Sequence, residues 1–336
     1  MSTHEERLRR HLWAVMENTP EAATQGGSAF APQFRVDPER PIARRDIPRL
    51  EAIVLPRYRP VFDIVNDSFA DPPPPWKLLS AARKKIEPAI RAVGRVELDG
   101  LPGVPYGGTA FVVGPGLMLT NRHVAEFFSS GVGDRDLKFI SGRSVAVDFK
   151  QENGSTAVRK LKVRRVLLIH PYWDACLLQV TGLPASQPQL TLMAREPDDV
   201  KKRDVAVIGY PAPDPHANLA LQLQIFRGIF YKKRLQPGKT IGYRPVKSYT
   251  NKVESLAHDC STLGGNSGSV VLDVKTGQAI GLHFAGAYLE ANYSVPSWQL
   301  ARDSRVVDLG VKFSVKPAKG SAAPAWLSAW KNLKSG

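Results

Sequence analysis

Three segments of the 336-residue chain carry chemically competent side chains at the ends of apolar runs. Leu117-Met118-Leu119-Thr120 leads through Asn121-Arg122 to His123. An imidazole delivered there, beside small residues, can act as a general base near neutral pH. Asp174 stands just ahead of the apolar run Cys176-Leu177-Leu178, where a carboxylate is costly unless it is paired. An imidazole N–H would meet that need. In Gly264-Gly265-Asn266-Ser267-Gly268-Ser269, glycines around Ser267 allow a tight turn that exposes the hydroxyl and aims neighbouring N–H groups at one point. Converging donors of that kind are what an oxyanion requires. Singly, the three have plain structural readings: a core histidine, a turn aspartate and a Gly/Ser-rich β-turn. Three independent turns do not explain their combination, in the order His, Asp, Ser and 51 and 93 residues apart.

Short strands are the elements expected to position them. From Val93 onward, alternating or apolar runs are separated by Gly, Pro, Asn and Asp: Val93–Leu98, Thr109–Val113, Leu117–Thr120, Val163–Ile169, Cys176–Val180, Val205–Ile208, Ser269–Leu272 and Ala279–His283. This is the pattern of an all-β sandwich or barrel. Residues 1–75 are instead proline-rich and irregular, and Pro72-Pro73-Pro74-Pro75 reads as a stiff polyproline spacer. Trp76–Ile86 has helical spacing of apolar residues, with Pro88 expected to end the helix. A linker from Lys316 leads to a short helix around Ala325–Leu333. The expected division is a proline-rich extension (1–75), a main body with a leading helix (76–315) and a C-terminal tail (316–336).

From about Val93 to about Leu309 the chain resembles the trypsin/chymotrypsin-like serine peptidases. Thr120-Asn121-Arg122-His123-Val124, Asp174-Ala175-Cys176-Leu177-Leu178 and Gly265-Asn266-Ser267-Gly268-Ser269 are most similar to the bacterial branch, including staphylococcal-type glutamyl endopeptidases. The resemblance implies two six-stranded antiparallel β-barrels with the catalytic groups in the cleft between them. It makes Ser267 the nucleophile, His123 the base and Asp174 its orienting partner, with the N–H groups of Gly265 and Ser267 as the oxyanion hole. The digestive enzymes carry aspartate where Asn266 stands, so activation here is expected not to depend on a newly cut N-terminal ammonium. Ser261, six residues before the nucleophile, argues against a basic-residue preference. Thr262 and His283 match the pair that holds a substrate carboxylate in glutamyl endopeptidases, a partly cationic imidazole adding charge assistance. Phe284, Ala285 and Gly286 are implied to pair with the substrate backbone, and Ala291 to line the pocket wall.

Two rival motifs fail. Position 269 is Ser, not the second glycine of G-x-S-x-G, and the His-Asp-Ser order is wrong for an α/β-hydrolase. Gly238-Lys239-Thr240 is similar to part of a P-loop, but Lys233 stands where its first glycine should be. His4, His11, His170, His216 and His258 show no metal-ligand spacing, so no metal or cofactor is expected. His258 lies close enough in sequence to the nucleophile loop to act behind it. Cys176 and Cys260 read as buried free thiols.

The composition, 43% hydrophobic and 23% charged, excludes a disordered chain, and no run of 18 apolar residues marks a membrane span. The charged N-terminus reads as a short amphipathic helix with Leu8, Leu12, Trp13 and Met16 on one face, not as a signal peptide. With only two cysteines, the expected location is cytoplasmic. The net charge is +15, yet residues 1–94 hold 15 basic and 12 acidic side chains, so most of the excess belongs to residues 95–336. It concentrates in Arg159–Arg165, Lys201–Arg203 and Lys232–Arg234. No RNA-binding aromatic signature, zinc finger or basic heptad accompanies these runs, so nucleic acid is not the expected partner. The expected function is a serine endopeptidase acting on polypeptides, with Glu preferred before the cut and residues 1–75 available to a regulatory partner. A silent peptide-binding pseudoprotease, or a basic nucleic-acid-binding protein with secondary protease activity, are the alternatives.

Overall fold

The computed structural model describes residues 59–104, 106–214, 218–287, 290–317 and 324–333. The helix expected around Leu8–Met16, and His4, His11 and His216, lie outside them. The first strand, β1 (Phe62–Asp63), is followed by helices α1 (Leu78–Ala81) and α2 (Arg83–Ala92). Pro73–Trp76 form a turn closed by the Trp76 N–H on the Pro73 carbonyl (2.9 Å), in place of the expected extended spacer. Burial of the Trp76 indole draws the chain inward there. α2 also runs through Pro88, where the sequence suggests a stop. Proline costs a helix interior about 3 kcal/mol, whereas each fully buried isoleucine contributes about 1.5–3 kcal/mol. Ile86 and Ile90 are both fully buried, alongside Ala89 and Ala92, so packing overrides the local signal.

Six strands then close a barrel. β2 (Val93–Asp99), β3 (Tyr106–Gly114) and β4 (Leu117–Thr120) form an antiparallel meander. After helix α3 (Arg122–Ala125) and a small hairpin of β5 (Ser129–Ser130) and β6 (Lys138–Phe139) come β7 (Ser144–Asp148), β8 (Lys160–Ile169) and β9 (Cys176–Val180). The closed order is β2-β3-β4-β9-β8-β7. The bounds of β4 and β9 are those the apolar runs predict.

The second sheet contains β10 (Lys201–Gly209), β11 (Arg234–Ser248), β12 (Asn251–His258), β13 (Val270–Asp273), β14 (Ala279–Ala287) and β15 (Ala291–Pro296), with helix α4 (Leu219–Phe226) between β10 and β11. Its order is β1-β11-β10-β13-β14-β15-β12, and β11 also pairs with β12. Helices α5 (Ser297–Leu300), α6 (Ser304–Asp308) and α7 (Pro324–Asn332) complete the described chain.

One apolar cluster spans both sheets, from Val93 and Phe111 to Val270 and Leu282. Buried polar groups at the junction are satisfied by main-chain carbonyls. Lys233 donates to those of Ile90 (3.0 Å) and Phe149 (2.7 Å), and the Tyr210 hydroxyl to that of Lys150 (3.1 Å). The chain is thus mostly β with few short helices, built on a closed six-stranded antiparallel barrel and a second β-sheet.

Candidate active site

β4 ends at Thr120, and α3 begins two residues later, so His123 sits in the first turn of a short helix pinned to Asp174, just ahead of β9. Three hydrogen bonds tie it there. The Asn121 carboxamide donates to the Asp174 carbonyl (2.9 Å), the His123 main-chain N–H donates to Asp174 Oδ1 (3.0 Å), and His123 Nδ1 lies 2.6 Å from Asp174 Oδ2. The Asp174 side chain is fully buried, and that of His123 is 12% exposed. A buried carboxylate is tolerated when hydrogen bonds satisfy it, and here each oxygen accepts one. The ring proton of a neutral His123 therefore belongs on Nδ1, which leaves Nε2 as a lone-pair acceptor.

Ser267 lies in the turn between β12 and β13. Its carbonyl accepts from the Thr109 N–H of β3 (2.8 Å), and the next residue, Gly268, donates to the His283 carbonyl of β14 (2.9 Å). Thr120, at the end of β4, donates its hydroxyl to the Thr109 carbonyl (2.7 Å). The barrel strands leading to His123 are thereby bonded to the loop carrying Ser267. Gly108 is required at this junction: its φ is +149°, and a Cβ there would fall 2.7 Å from the Ser267 carbonyl oxygen. Ahead of the serine, the Gly264 carbonyl accepts from the Ala212 N–H (2.5 Å) and the Gly265 carbonyl from the Thr109 hydroxyl (2.9 Å). The C=O and N–H of a planar trans peptide point opposite ways, so the first of these bonds turns the Gly265 N–H away from Ala212.

The residues expected to form a specificity pocket surround the same loop. Ser261 donates its hydroxyl to the Arg59 carbonyl (2.8 Å), and the Arg59 guanidinium pairs with Asp259. Thr262 donates to Asn292 Oδ1 (2.7 Å), whose amide nitrogen donates to the Cys260 carbonyl (2.6 Å). His283 is fully buried on β14, its Nδ1 3.2 Å from His258 Nε2. Phe284, Ala285 and Gly286 continue β14, where Ala285 and Gly286 are paired with Tyr293 and Asn292 of β15. β13 pairs with β14 only as far as Leu282, so the other edge of these three residues has no strand partner among the described residues. Ala291 stands opposite Ala287 at the start of β15.

The model of the trypsin-like peptidase domain matches residues 108–282, more than half of the chain, including His123, Asp174 and Ser267. The chain belongs to the trypsin-like peptidase domain family. It is accordingly a trypsin-like serine protease. Among solved structures it is similar to the Rv3671c protease from M. tuberculosis. The active form is 18% identical with a TM-score of 0.47, covering 76% of this chain and 92% of that one. The inactive form is 19% identical with a TM-score of 0.43, covering 71% and 95%. Deg5 is 17% identical with a TM-score of 0.45, covering 68% and 92%. No curated protein matches in sequence.

In this trypsin-like peptidase the turn carrying Asp174 has its own support. His170 Nδ1 accepts from the N–H groups of Tyr172 (3.1 Å) and Trp173 (3.0 Å), while its Nε2 faces Asp303 Oδ2 at 3.2 Å. That oxygen also accepts from Trp330 Nε1 of α7 (2.8 Å). Trp326 packs edge-on against Tyr172 and Trp173. The sequence alone marks His170 only as a histidine before a proline; Asp303 and Trp330 are over a hundred residues away and leave no spacing signal. Asn121 and Asn292 escaped in the same way, since a buried amide has no signature until its partners are known. The described residues contain no His, Cys, Asp or Glu cluster able to hold a metal. Both thiols are buried, which pushes their pKa values well up.

The expected charge on His283 is not found. Burial, and then the neighbouring His123, push its pKa down to about 3, so the imidazole is neutral at working pH. Burial also depresses His170, against the pull of Asp303, and His258, where His283 adds to the effect. In the unfolded chain these rings take up protons near pH 6.5; in the fold they do so only at lower pH. Above that value both states are neutral and stability is complete. Below it the unfolded state gains protons that the fold refuses, so stability falls as pH falls. His283 alone is expected to cost about 2 kcal/mol at about pH 5. A urea midpoint that stays constant between about pH 7 and about pH 5 would contradict this.

Proposed function

We propose that this trypsin-like protease is an endopeptidase that cleaves polypeptides through an acyl-enzyme formed on Ser267. The observation that carries the reading is the bond of His123 Nδ1 to the buried Asp174 carboxylate, which sets the base in the tautomer that can accept a proton on Nε2. Ser267 Oγ attacks the scissile carbonyl carbon as its proton passes to His123 Nε2. The carbonyl π pair moves onto oxygen, toward the N–H groups of Gly265 and Ser267. Collapse of the tetrahedral species breaks the C–N bond, and His123 gives its proton to the leaving amine. Water, deprotonated by the same imidazole, then releases the acyl group and restores the serine. The pairing of β11 with both β10 and β12 supports a second barrel, which would put this machinery in a cleft between two barrels. The unpaired edge at Phe284–Gly286 supports a substrate backbone adding there as a strand.

For specificity, the reading is Glu before the cut, held by Thr262 and His283 with Ala291 on the wall. His258 Nδ1 has no partner among the described residues. Recognition of a carboxylate needs a donor on His283 Nε2, so the reading places the proton between the rings on His258 Nε2. It donates to His283 Nδ1, and the His283 proton resides on Nε2. A neutral donor and a hydroxyl then recognise the carboxylate through hydrogen bonds without a counter-charge. Thr262 must turn from Asn292 to take part. Digestion of a diverse peptide library by the full chain is expected to give cuts mainly after Glu. Cuts mainly after basic or aliphatic residues would remove the specificity assignment, and no cuts at all would remove the endopeptidase.

A further inference from the structure

The loop before Ser267 is fastened from behind by groups outside the cleft. Asn266, fully buried, exchanges two hydrogen bonds with fully buried Gln236 of β11. Gln236 Nε2 donates to Asn266 Oδ1 (3.0 Å), and Asn266 Nδ2 donates to Gln236 Oε1 (3.1 Å). The same Asn266 carboxamide ties the two ends of the turn together. Its Nδ2 also donates to the Leu263 carbonyl (3.2 Å), and its Oδ1 also accepts from the Ser269 hydroxyl (3.4 Å). Room for this arrangement exists because β10 ends in glycine. A Cβ on Gly209 would fall 2.6 Å from Asn266 Oδ1 and collide with Ser269 Oγ. Gly209 is not in the left-handed region, so the position needs space, not backbone freedom. Three residues further on, Ala212 holds the Gly264 carbonyl.

We propose that Gln236 is a positioning residue for the oxyanion-forming loop. Its carboxamide, paired with that of Asn266, holds Gly264–Ser267 in working shape with no charge and no free chain terminus. The proposal rests on Ser267 being the nucleophile. Its consequence is an enzyme competent with residues 1–58 still attached. An isolated aspartate at position 266 would need a buried cation to offset its desolvation, whereas two amides satisfy each other and have nothing to titrate.

Two substitutions in the full-length protein test it. Gln236→Met removes both hydrogen bonds at similar volume. It is expected to lower kcat about 10²-fold, as loss of one oxyanion donor does, with KM changed less than about three-fold. Gln236→Glu supplies the decisive readout. A protonated carboxyl presents one O–H donor and one acceptor, as the amide does, whereas the ionised form turns a bare oxygen against Asn266 Oδ1. Burial raises such a carboxyl's pKa, so its kcat, counted per site titrated by a fluorophosphonate, is expected to fall as pH rises. The wild-type amide pair has no group to titrate, so the wild-type kcat is expected to show no such fall. A Gln236→Glu profile superimposable on wild type, or Gln236→Met at wild-type kcat, overturns the proposal while leaving the nucleophile assignment standing. A wild type that neither cleaves peptides nor reacts with the fluorophosphonate overturns both.

Discussion

Ser267→Ala is expected to lower kcat for peptide hydrolysis by about 10⁶-fold, because the acyl-enzyme route has no other starting atom. The fold is expected to persist. What fastens this loop is main chain and amide: the Ser267 carbonyl on the Thr109 N–H, the Gly268 N–H on the His283 carbonyl, and Asn266 on Gln236. Alanine keeps all of these and removes one oxygen. The thermal midpoint should therefore move by no more than a few degrees, corresponding to about 1 kcal/mol or less, while fluorophosphonate labelling of the wild type disappears in the variant. That pairing of outcomes separates loss of the nucleophile from loss of the structure. Peptide hydrolysis within ten-fold of wild type in the folded variant would end the Ser267 mechanism, whereas a wild type with neither hydrolysis nor labelling would favour the silent peptide-binding alternative.

His123, Asp174 and Ser267 could be singled out because each follows or precedes a short apolar run, and the contact of His123 with Asp174 was legible because such runs become buried strands. Leu117–Thr120 and Cys176–Val180 are strands with those bounds, and their pairing, Thr120 opposite Cys176, brings the His123 helix to Asp174. β11 was illegible for the opposite reason. It contains Pro237, Pro245, Gly238 and Gly242 along with four cations, local features that each argue against a strand. Pairing on both sides, to β10 and β12, overrides them. Gly238 even has a use there, since a Cβ would press on the Asp259 carboxylate and Cys260. The chemistry behind the reactive groups was harder still to see. The Asn266–Gln236 pair spans 30 residues, and Ser261 meets Arg59 across 202. Neither spacing is a motif, because tertiary approach alone creates the contact. His283 shows a third limit. Its position was marked from sequence, but its charge depends on complete burial, which no single-residue signal reports.

Asp174→Asn tests the orientation of the base, and its expected loss in kcat is about 10⁴-fold. Asp174 accepts on both oxygens, one from the His123 main-chain N–H and one from the ring. Asparagine has a single acceptor oxygen. If that oxygen keeps the main-chain N–H, its NH₂ faces Nδ1, the ring proton moves to Nε2, and Ser267 meets a donor where it needs an acceptor. If the oxygen instead turns to the ring, the NH₂ is driven against the His123 N–H, donor on donor, at the start of α3. The first arrangement avoids a buried clash and leaves the bond from Asn121 to the main-chain carbonyl of residue 174 intact, so the variant should fold with its base in the wrong tautomer. Substrate binding does not use this tautomer, and KM is expected to change little while kcat and the rate of fluorophosphonate labelling fall together. Labelling as fast as wild type would mean that Asp174 does not set the proton on His123, and the 2.6 Å contact would then be a structural ion pair beside a differently activated serine.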